Sequence, residues 1–372
     1  MAQAKKLGFG FMRLPIIGGN PLLIDNKQVR KMADKFISEG FTYFDTAYMY
    51  HGGLSEGALR KAVVERYPRD KFTIADKMPV SMVRTASGLE RVFARQLKRC
   101  GVEFFDYYLL HNLGEENYRK AEALNAFEFI ARKKEEGYIK KIGFSYHDSA
   151  RLLGEILTAH PEVEFVQLQI NYADWEHETI QSRKCYEVAT AHGKPVIVME
   201  PVKGGNLARV PEEAEKLFKA YAPDMSAASW AIRFAASLDN VFMVLSGMSC
   251  EAQLDDNVAY MKDFRPLDEE EKRIVFRVAD MMTGNTAIPC TACAYCVNGC
   301  PKHIPIPQYF ALYNAEKNFR SYMFSTQKEY YGNLIKTHGR AKDCIGCRKC
   351  EHACPQHLKV SELMKMVSKV FD

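Results

Sequence analysis

Along residues 7–260 the apolar positions alternate between two periods. Short runs rich in β-branched and aromatic residues read as strands: LGFGFMRL (7–14), FTYFD (41–45), FTIADK (72–77), FDYYLLH (105–111), IKKIGFS (139–145), EFVQLQ (164–169), PVIVME (195–200) and NVFMVLS (240–246). Between them lie longer stretches with helical spacing, such as KQVRKMADKFISEG and YRKAEALNAFEFIARKKEEG. Both close on a glycine, Gly40 and Gly137, the residue that ends helices without a Cβ penalty. Eight strand–helix units in about 250 residues predict an α/β fold, a (β/α)8 TIM barrel. An open doubly wound sheet also alternates, but no G-x-G-x-x-G follows the first strand, which argues against it.

Past residue 260 the strand pattern stops. DFRPLDEEEKRIVFRVADMMTG reads as a helix whose acidic first turn suits its dipole, followed by a short loop at GNTAIP. IPQYFALYNAEKNF, STQKEYYGNLI and VSELMKMVSKVF are helical in composition. We therefore expect a barrel domain over 1–285 and a second, smaller, mostly α-helical domain over 286–372.

Composition narrows the class. The 372 residues are 47% hydrophobic, with no apolar run long enough to span a bilayer. The start, MAQAKKLGFGFMRLP, lacks the apolar core of a signal peptide, so the chain reads as cytoplasmic with no membrane partner. The net charge of +5 is uneven. Residues 286–372 hold 12 Lys/Arg against 6 Asp/Glu, net +6, leaving 39 against 40 for the rest. With no nucleic-acid motif and no extended Lys/Arg run, we expect no nucleic-acid partner. Cations beside anionic thiolate clusters explain the imbalance better.

Those thiolates are the clearest chemistry in the chain. CTACAYCVNGCP places Cys290, Cys293, Cys296 and Cys300 before Pro301, and CIGCRKCEHACP places Cys344, Cys347, Cys350 and Cys354 before Pro355. C-x2-C-x2-C-x3-C-P is the bacterial ferredoxin run for 4Fe–4S clusters, in which the fourth cysteine serves the other cluster. Two copies predict two clusters: one on Cys290, Cys293, Cys296 and Cys354, the other on Cys344, Cys347, Cys350 and Cys300. Zinc competes for any C-x2-C pair, but this doubled four-cysteine run with proline is not its pattern. The tail resembles the helix-rich two-cluster ferredoxin domains fused to dehydrogenases and reductases. Cys100, Cys185 and Cys250 stand singly and read as small buried apolar residues.

Barrel enzymes work at the C-terminal ends of their strands. Those ends carry Asp45, Lys77, His111, Ser145, Gln167 with Gln169, Glu200 and Ser246–Gly247. Tyr50 follows Asp45 in a loop leading to Gly52 and Gly53. Tyr50, Lys77, Asp45 and His111 form a coherent catalytic group. A phenol titrates near ~10, and a neighbouring ammonium lowers that value. An aspartate holds the lysine charged, and a histidine can hydrogen-bond a carbonyl. The product is a general acid that protonates an oxygen while hydride reaches the carbon.

Residues 7–260 resemble the aldo-keto reductases. FDTAYMY resembles the family's F-D-T-A-x-x-Y segment, ADK supplies the lysine and LLHN the histidine. The resemblance implies Tyr50 as proton donor, Lys77 and Asp45 as its tuning pair, and His111 as the group that orients a carbonyl or alcohol substrate. It also implies an NADPH or NADH site. GFSYH brings Ser145 and VQLQIN brings Gln167 to the nicotinamide amide. MEPVKGG supplies Met199, Pro201 and Gly204 to the nicotinamide and pyrophosphate. LSGMSCEAQLDDN supplies Gly247, Ser249, Gln253 and Asn257 to the adenosine. Departures are Tyr146 where the family usually has asparagine, Met199 where it often has an aromatic ring, and Gly247 and Gln253 where many members carry cations for the 2′-phosphate. NAD and NADP stay open on these residues.

Nicotinamide gives two electrons as hydride, whereas each cluster accepts one. A flavin would bridge the two, but no motif supports one. Three readings follow: a carbonyl oxidoreductase coupled through its clusters to an electron-transfer protein partner, a carbonyl reductase with structural clusters, or a redox-sensing docking protein whose barrel binds nucleotide without turnover.

Overall fold

A computed structural model describes residues 5–283, 287–290, 292–318, 325–354 and 356–372. The expected domain boundary at 285/286 and Pro355 of the second cysteine run lie outside the described residues. Eight parallel strands, β1 (Leu7–Gly10), β2 (Tyr43–Asp45), β3 (Thr73–Met78), β4 (Phe105–Leu113), β5 (Ile139–Tyr146), β6 (Phe165–Gln169), β7 (Val196–Met199) and β8 (Val241–Ser246), close in sequence order into a barrel.

Side chains alternate across each strand. One set faces the helices and joins the large core: Phe44, Ile74, Tyr108, Phe144, Val166, Val198 and Val244. The other set fills the barrel interior as a separate cluster of Tyr43, Ala75, Leu109, Phe165, Ile197, Met243 and Leu245. Two positions further along the same strands stand Asp45, Lys77, His111, Gln167, Met199 and Gly247. The interior layer thus plugs the barrel, and of the next inward positions all but the buried Lys77 line the mouth. On β5 the corresponding inward residues are Gly143 and Ser145. A Cβ on Gly143 would lie 2.5 Å from the Phe165 carbonyl oxygen, so only glycine lets β5 and β6 meet there.

The helices follow the same logic. Helix Asn26–Ser38 buries Val29, Met32, Ala33 and Phe36, one face at helical spacing, and Asp25 caps it by accepting from the Gln28 N–H at 3.0 Å. The stretch expected as one helix through YRKAEALNAFEFIARKKEEG is two, Glu115–Ala123 and Ala126–Glu135. Asn125 between them takes φ 53, and the break turns Ala126, Phe127, Phe129 and Ile130 inward.

Helix Glu269–Thr283 packs on the barrel through Val275 and Val278, and buried Glu271 accepts from Arg233 at 2.8 Å. The tail has its own core, with Tyr309, Phe310, Leu312, Tyr330, Tyr331, Met364 and Val367, built on helices Ile306–Asn318, Thr326–Leu334 and Val360–Phe371. Ile180, from the loop after β6, joins that core. Among the described residues no helix is long and apolar enough to cross a membrane.

Candidate active site and cysteine clusters

A cavity of about 550 Å³ opens at the C-terminal ends of the strands. Its lining includes Asp45, Tyr50, His111, Ser145, Gln167, Met199 and Gly247, so residues spread over two hundred positions meet in one space. Lys77 lies directly beneath, fully buried rather than half-buried as its place at a strand end suggests. Its ammonium donates to Asp45 Oδ1 (2.6 Å), Asp45 Oδ2 (2.7 Å) and the Thr46 carbonyl (2.7 Å). Burial alone would lower its pKa, but Asp45 and the Tyr50 phenol outweigh that, and the net direction is upward.

Tyr50 sits with its ring centre 5.0 Å from Lys77 Nζ and edge-on to His111 at 5.9 Å. The Lys77 ammonium pulls the phenol pKa downward, as expected of a neighbouring cation. Burial proves the larger effect and raises the Tyr50 pKa, with Lys77 opposing it. The phenol therefore keeps its proton at neutral pH, the state a proton donor needs. Burial, with Lys77 adding to it, pushes His111 well below the usual histidine value, so its imidazole is neutral. A neutral imidazole beside a phenol can hold a carbonyl oxygen without competing as an acid.

β4 bends where this happens. Its pairing with β5 shifts register between Leu110 and Leu113, a bulge that contains His111 and Asn112. Asn112 takes φ 57, and its backbone N–H donates to Ser145 Oγ at 2.8 Å. The Ser145 hydroxyl proton is left for another acceptor. Gln167 donates to Met199 Sδ at 3.5 Å, while its buried Oε1 has no partner. A carboxamide, which carries both N–H and C=O, matches this pair of groups.

A groove of about 160 Å³ continues from the mouth past Arg13 and Glu200. Pro201, Gly204, Gly247, Ser249, Gln253 and Asn257 line it, so every loop residue expected at the dinucleotide site lies in the groove or the mouth. Ser249 Oγ donates to the Arg13 carbonyl at 2.8 Å, Gln253 Oε1 accepts from the Ser249 N–H at 2.7 Å, and Asn257 donates to Ser246 Oγ at 2.8 Å. Arg13 and Glu200 pair at 2.7 Å across the junction of groove and mouth. Tyr146 does not reach the cavity; it is buried against Phe144, and its hydroxyl donates to the Ser149 carbonyl at 2.7 Å. Gln169 turns away as well, donating to Asp174 at 2.8 Å.

The residues that the sequence did not point to are Arg13, Asn112, His147, Glu329 and Lys336, all in the lining of the mouth. His147 had a signal, since it lies two places beyond Ser145, just past the end of β5. Glu329 and Lys336 had none: they come from the tail.

In the tail, Cys290, Cys293, Cys296 and Cys354 line one small cavity, and Cys300, Cys344, Cys347 and Cys350 line another. Each cavity thus draws three cysteines from one run and the last cysteine of the other. Among the described residues no group of His, Cys, Asp or Glu is set close enough to hold a single metal ion. Thiols spread around a cavity in fours suit a cluster of irons rather than one zinc.

A closed parallel barrel with a buried Lys–Asp pair and a phenol gathered at the C-terminal ends of its strands has the layout of a barrel enzyme. The family profile for the aldo/keto reductase family matches residues 6–279, and the chain belongs to that family. The profile for the 4Fe-4S dicluster domain matches residues 289–358, so the tail is such a domain. A probable aldo-keto reductase 1 of Glycine max is 29% identical over 185 residues, 47% of this chain; the chain spans about half (50%) of that relative's length. Three solved structures share the barrel. An aldo-keto reductase of Bacillus halodurans in its holo form has a TM-score of 0.59 at 24% identity, covering 73% of this chain and 91% of its own. One from Klebsiella pneumoniae in complex with NADPH has 0.58 at 19%, covering 74% and 91%. A thermostable aldo-keto reductase bound to the inhibitor epalrestat has 0.58 at 22%, covering 73% and 94%.

Proposed function

We propose that this protein is a cytoplasmic NADPH- or NADH-dependent carbonyl oxidoreductase, reducing an aldehyde or ketone or running the reverse alcohol oxidation, and that two 4Fe–4S clusters accompany the reaction. The observation that carries this reading is the meeting of Tyr50, Asp45 and His111 in one cavity, with Lys77 buried directly beneath them, and the continuation of that cavity into a groove lined by Pro201, Gly204, Ser249, Gln253 and Asn257. One relative of the same fold is bound to NADPH.

The residues present fit the cofactor. Ser145 and Gln167 would hold the nicotinamide amide, Met199 its ring, and the groove from Pro201 to Asn257 the rest. A dinucleotide bound there supplies hydride. Tyr50 then donates its proton to the carbonyl oxygen, with the neutral His111 fixing that oxygen. As the phenol loses its proton, the buried ammonium of Lys77 stabilises the phenolate, and Asp45 keeps the ammonium charged. In the tail, Cys290, Cys293, Cys296 and Cys354 would hold one cluster and Cys344, Cys347, Cys350 and Cys300 the other. The clusters supply one-electron chemistry, which an electron-transfer protein would give or take.

The test is an aldehyde and ketone panel with anaerobically purified, cluster-loaded protein, following NADPH and NADH oxidation. Turnover of at least one carbonyl is expected. Dinucleotide binding without turnover across the panel would favour a redox-sensing role; no binding at all would overturn the site.

A further inference from the structure

The barrel's mouth is not closed by the barrel alone. Helix Thr326–Leu334 of the iron–sulfur domain meets the exits of β4 and β5 through Glu329 and Asn333. Buried Tyr330 and Tyr331 root it in the tail's core. Toward the barrel, Glu329 Oε1 accepts from Asn112 Nδ2, Asn333 Nδ2 donates to the His147 carbonyl at 3.4 Å, and the edge of the Tyr330 ring meets His147 at 5.8 Å. Just beyond the helix, Lys336 pairs with Glu116 at 3.7 Å.

Asn112 is the sensitive point among these contacts. It sits in the β4 bulge, directly after His111, at a positive φ that non-glycine residues seldom adopt. Its backbone N–H holds Ser145 Oγ, and its side-chain N–H is held by Glu329. Its own carbonyl accepts from Asn117 at 2.6 Å. Glu329 is the only one of these partners that comes from the tail, and it lines the cavity itself.

We infer that Glu329, supplied by the iron–sulfur domain, is a positioning residue of the barrel's active site, acting through Asn112 on Ser145 and His111. The carboxylate holds the Asn112 amide, which keeps the bulge in place. The bulge aims the Ser145 hydroxyl at the nicotinamide amide and the His111 ring at the substrate oxygen. The barrel site is incomplete without the tail, whatever electrons the clusters carry. This inference rests on the dinucleotide reading of the groove.

Glu329→Ala and Glu329→Gln in the full-length, cluster-loaded protein test it, with NADPH and NADH affinity read by fluorescence titration. Glutamine keeps an acceptor oxygen for Asn112; alanine does not. Losing a hydrogen bond to a charged group should weaken dinucleotide binding about tenfold in Glu329→Ala, with Glu329→Gln within about threefold of the parent. Iron content and melting temperature should match the parent in both. Parent-like affinity in Glu329→Ala overturns the inference alone, as does a glutamine variant as weak as the alanine one. A parent protein that binds neither dinucleotide overturns both the inference and the reading beneath it.

Discussion

The barrel mouth and the tail are two ways of assembling a reactive centre. In the tail the ligand candidates are neighbours in sequence, eight cysteines in two runs, and the fold only has to exchange the last member of each run. At the mouth Asp45, Lys77, His111, Gln167, Met199 and Gly247 come one from the end of each of six strands, each two residues past an inward-facing core residue, while Tyr50 comes from the loop after β2. The first kind of site is written as a motif; the second is written as a register. The motif site is shaped to the group it takes up. The register site depends on a buried ion pair that must survive in the absence of any ligand.

That difference can be broken directly. The largest effect should come from Lys77→Met, which leaves the Asp45 carboxylate buried without its cation. We expect a loss of about 3–5 kcal/mol in urea unfolding. A loss below about 1 kcal/mol would mean that the mouth is not held by this pair.

In the tail the crossing makes a sharper claim than the motif alone. Cys354→Ser should remove about half the iron and spare the cluster assigned to Cys344, Cys347, Cys350 and Cys300, while Cys300→Ser should do the reverse. Iron analysis with electron paramagnetic resonance of the reduced protein distinguishes the two remaining clusters. Identical spectra from both variants would contradict the crossing.

The half-buried His111 gives a smaller, pH-dependent effect. His111 has a folded pKa far below 6.5, so between that value and 6.5 the unfolded chain binds a proton that the folded chain does not. Stability therefore falls as pH drops below about 6.5, by up to about 1.4 kcal/mol per pH unit from this group. His111→Gln should flatten that part of the pH–stability curve; an unchanged slope would place the imidazole in solvent.

The smallest expected effect is in cofactor choice. Among the described residues Arg13 is the only Lys or Arg in the groove lining, it is paired with Glu200, and Asp256 is also present. With few charge-assisted donors for a 2′-phosphate, NADPH should be preferred over NADH by less than about tenfold in competitive titration. A much larger preference would point to cations outside this groove.

The two kinds of site were legible to different depths. Both cysteine quartets could be read from spacing, including which cysteine crosses. The eight strands could be read from their β-branched and aromatic runs, Asp45, Lys77 and His111 from the polar residues at the exits of β2 to β8, and Tyr50 from its place in the loop just after Asp45. The environment of each residue could not. Lys77 turned out wholly buried, and burial rather than the ammonium sets the direction of the Tyr50 shift. Nor could a bulge at Asn112 or a helix break at Asn125, since both depend on how neighbouring elements pack. Least legible was the arrival of Glu329 and Lys336 at the mouth, a contact across more than two hundred residues with no periodicity behind it.

The central claim is that Tyr50 donates the proton during carbonyl reduction. Tyr50→Phe removes one oxygen and leaves the ring against Lys77 and His111. With any carbonyl the parent reduces, kcat should fall by about 10²–10⁴-fold while dinucleotide affinity stays within about threefold. A kcat within about threefold of the parent would contradict the account.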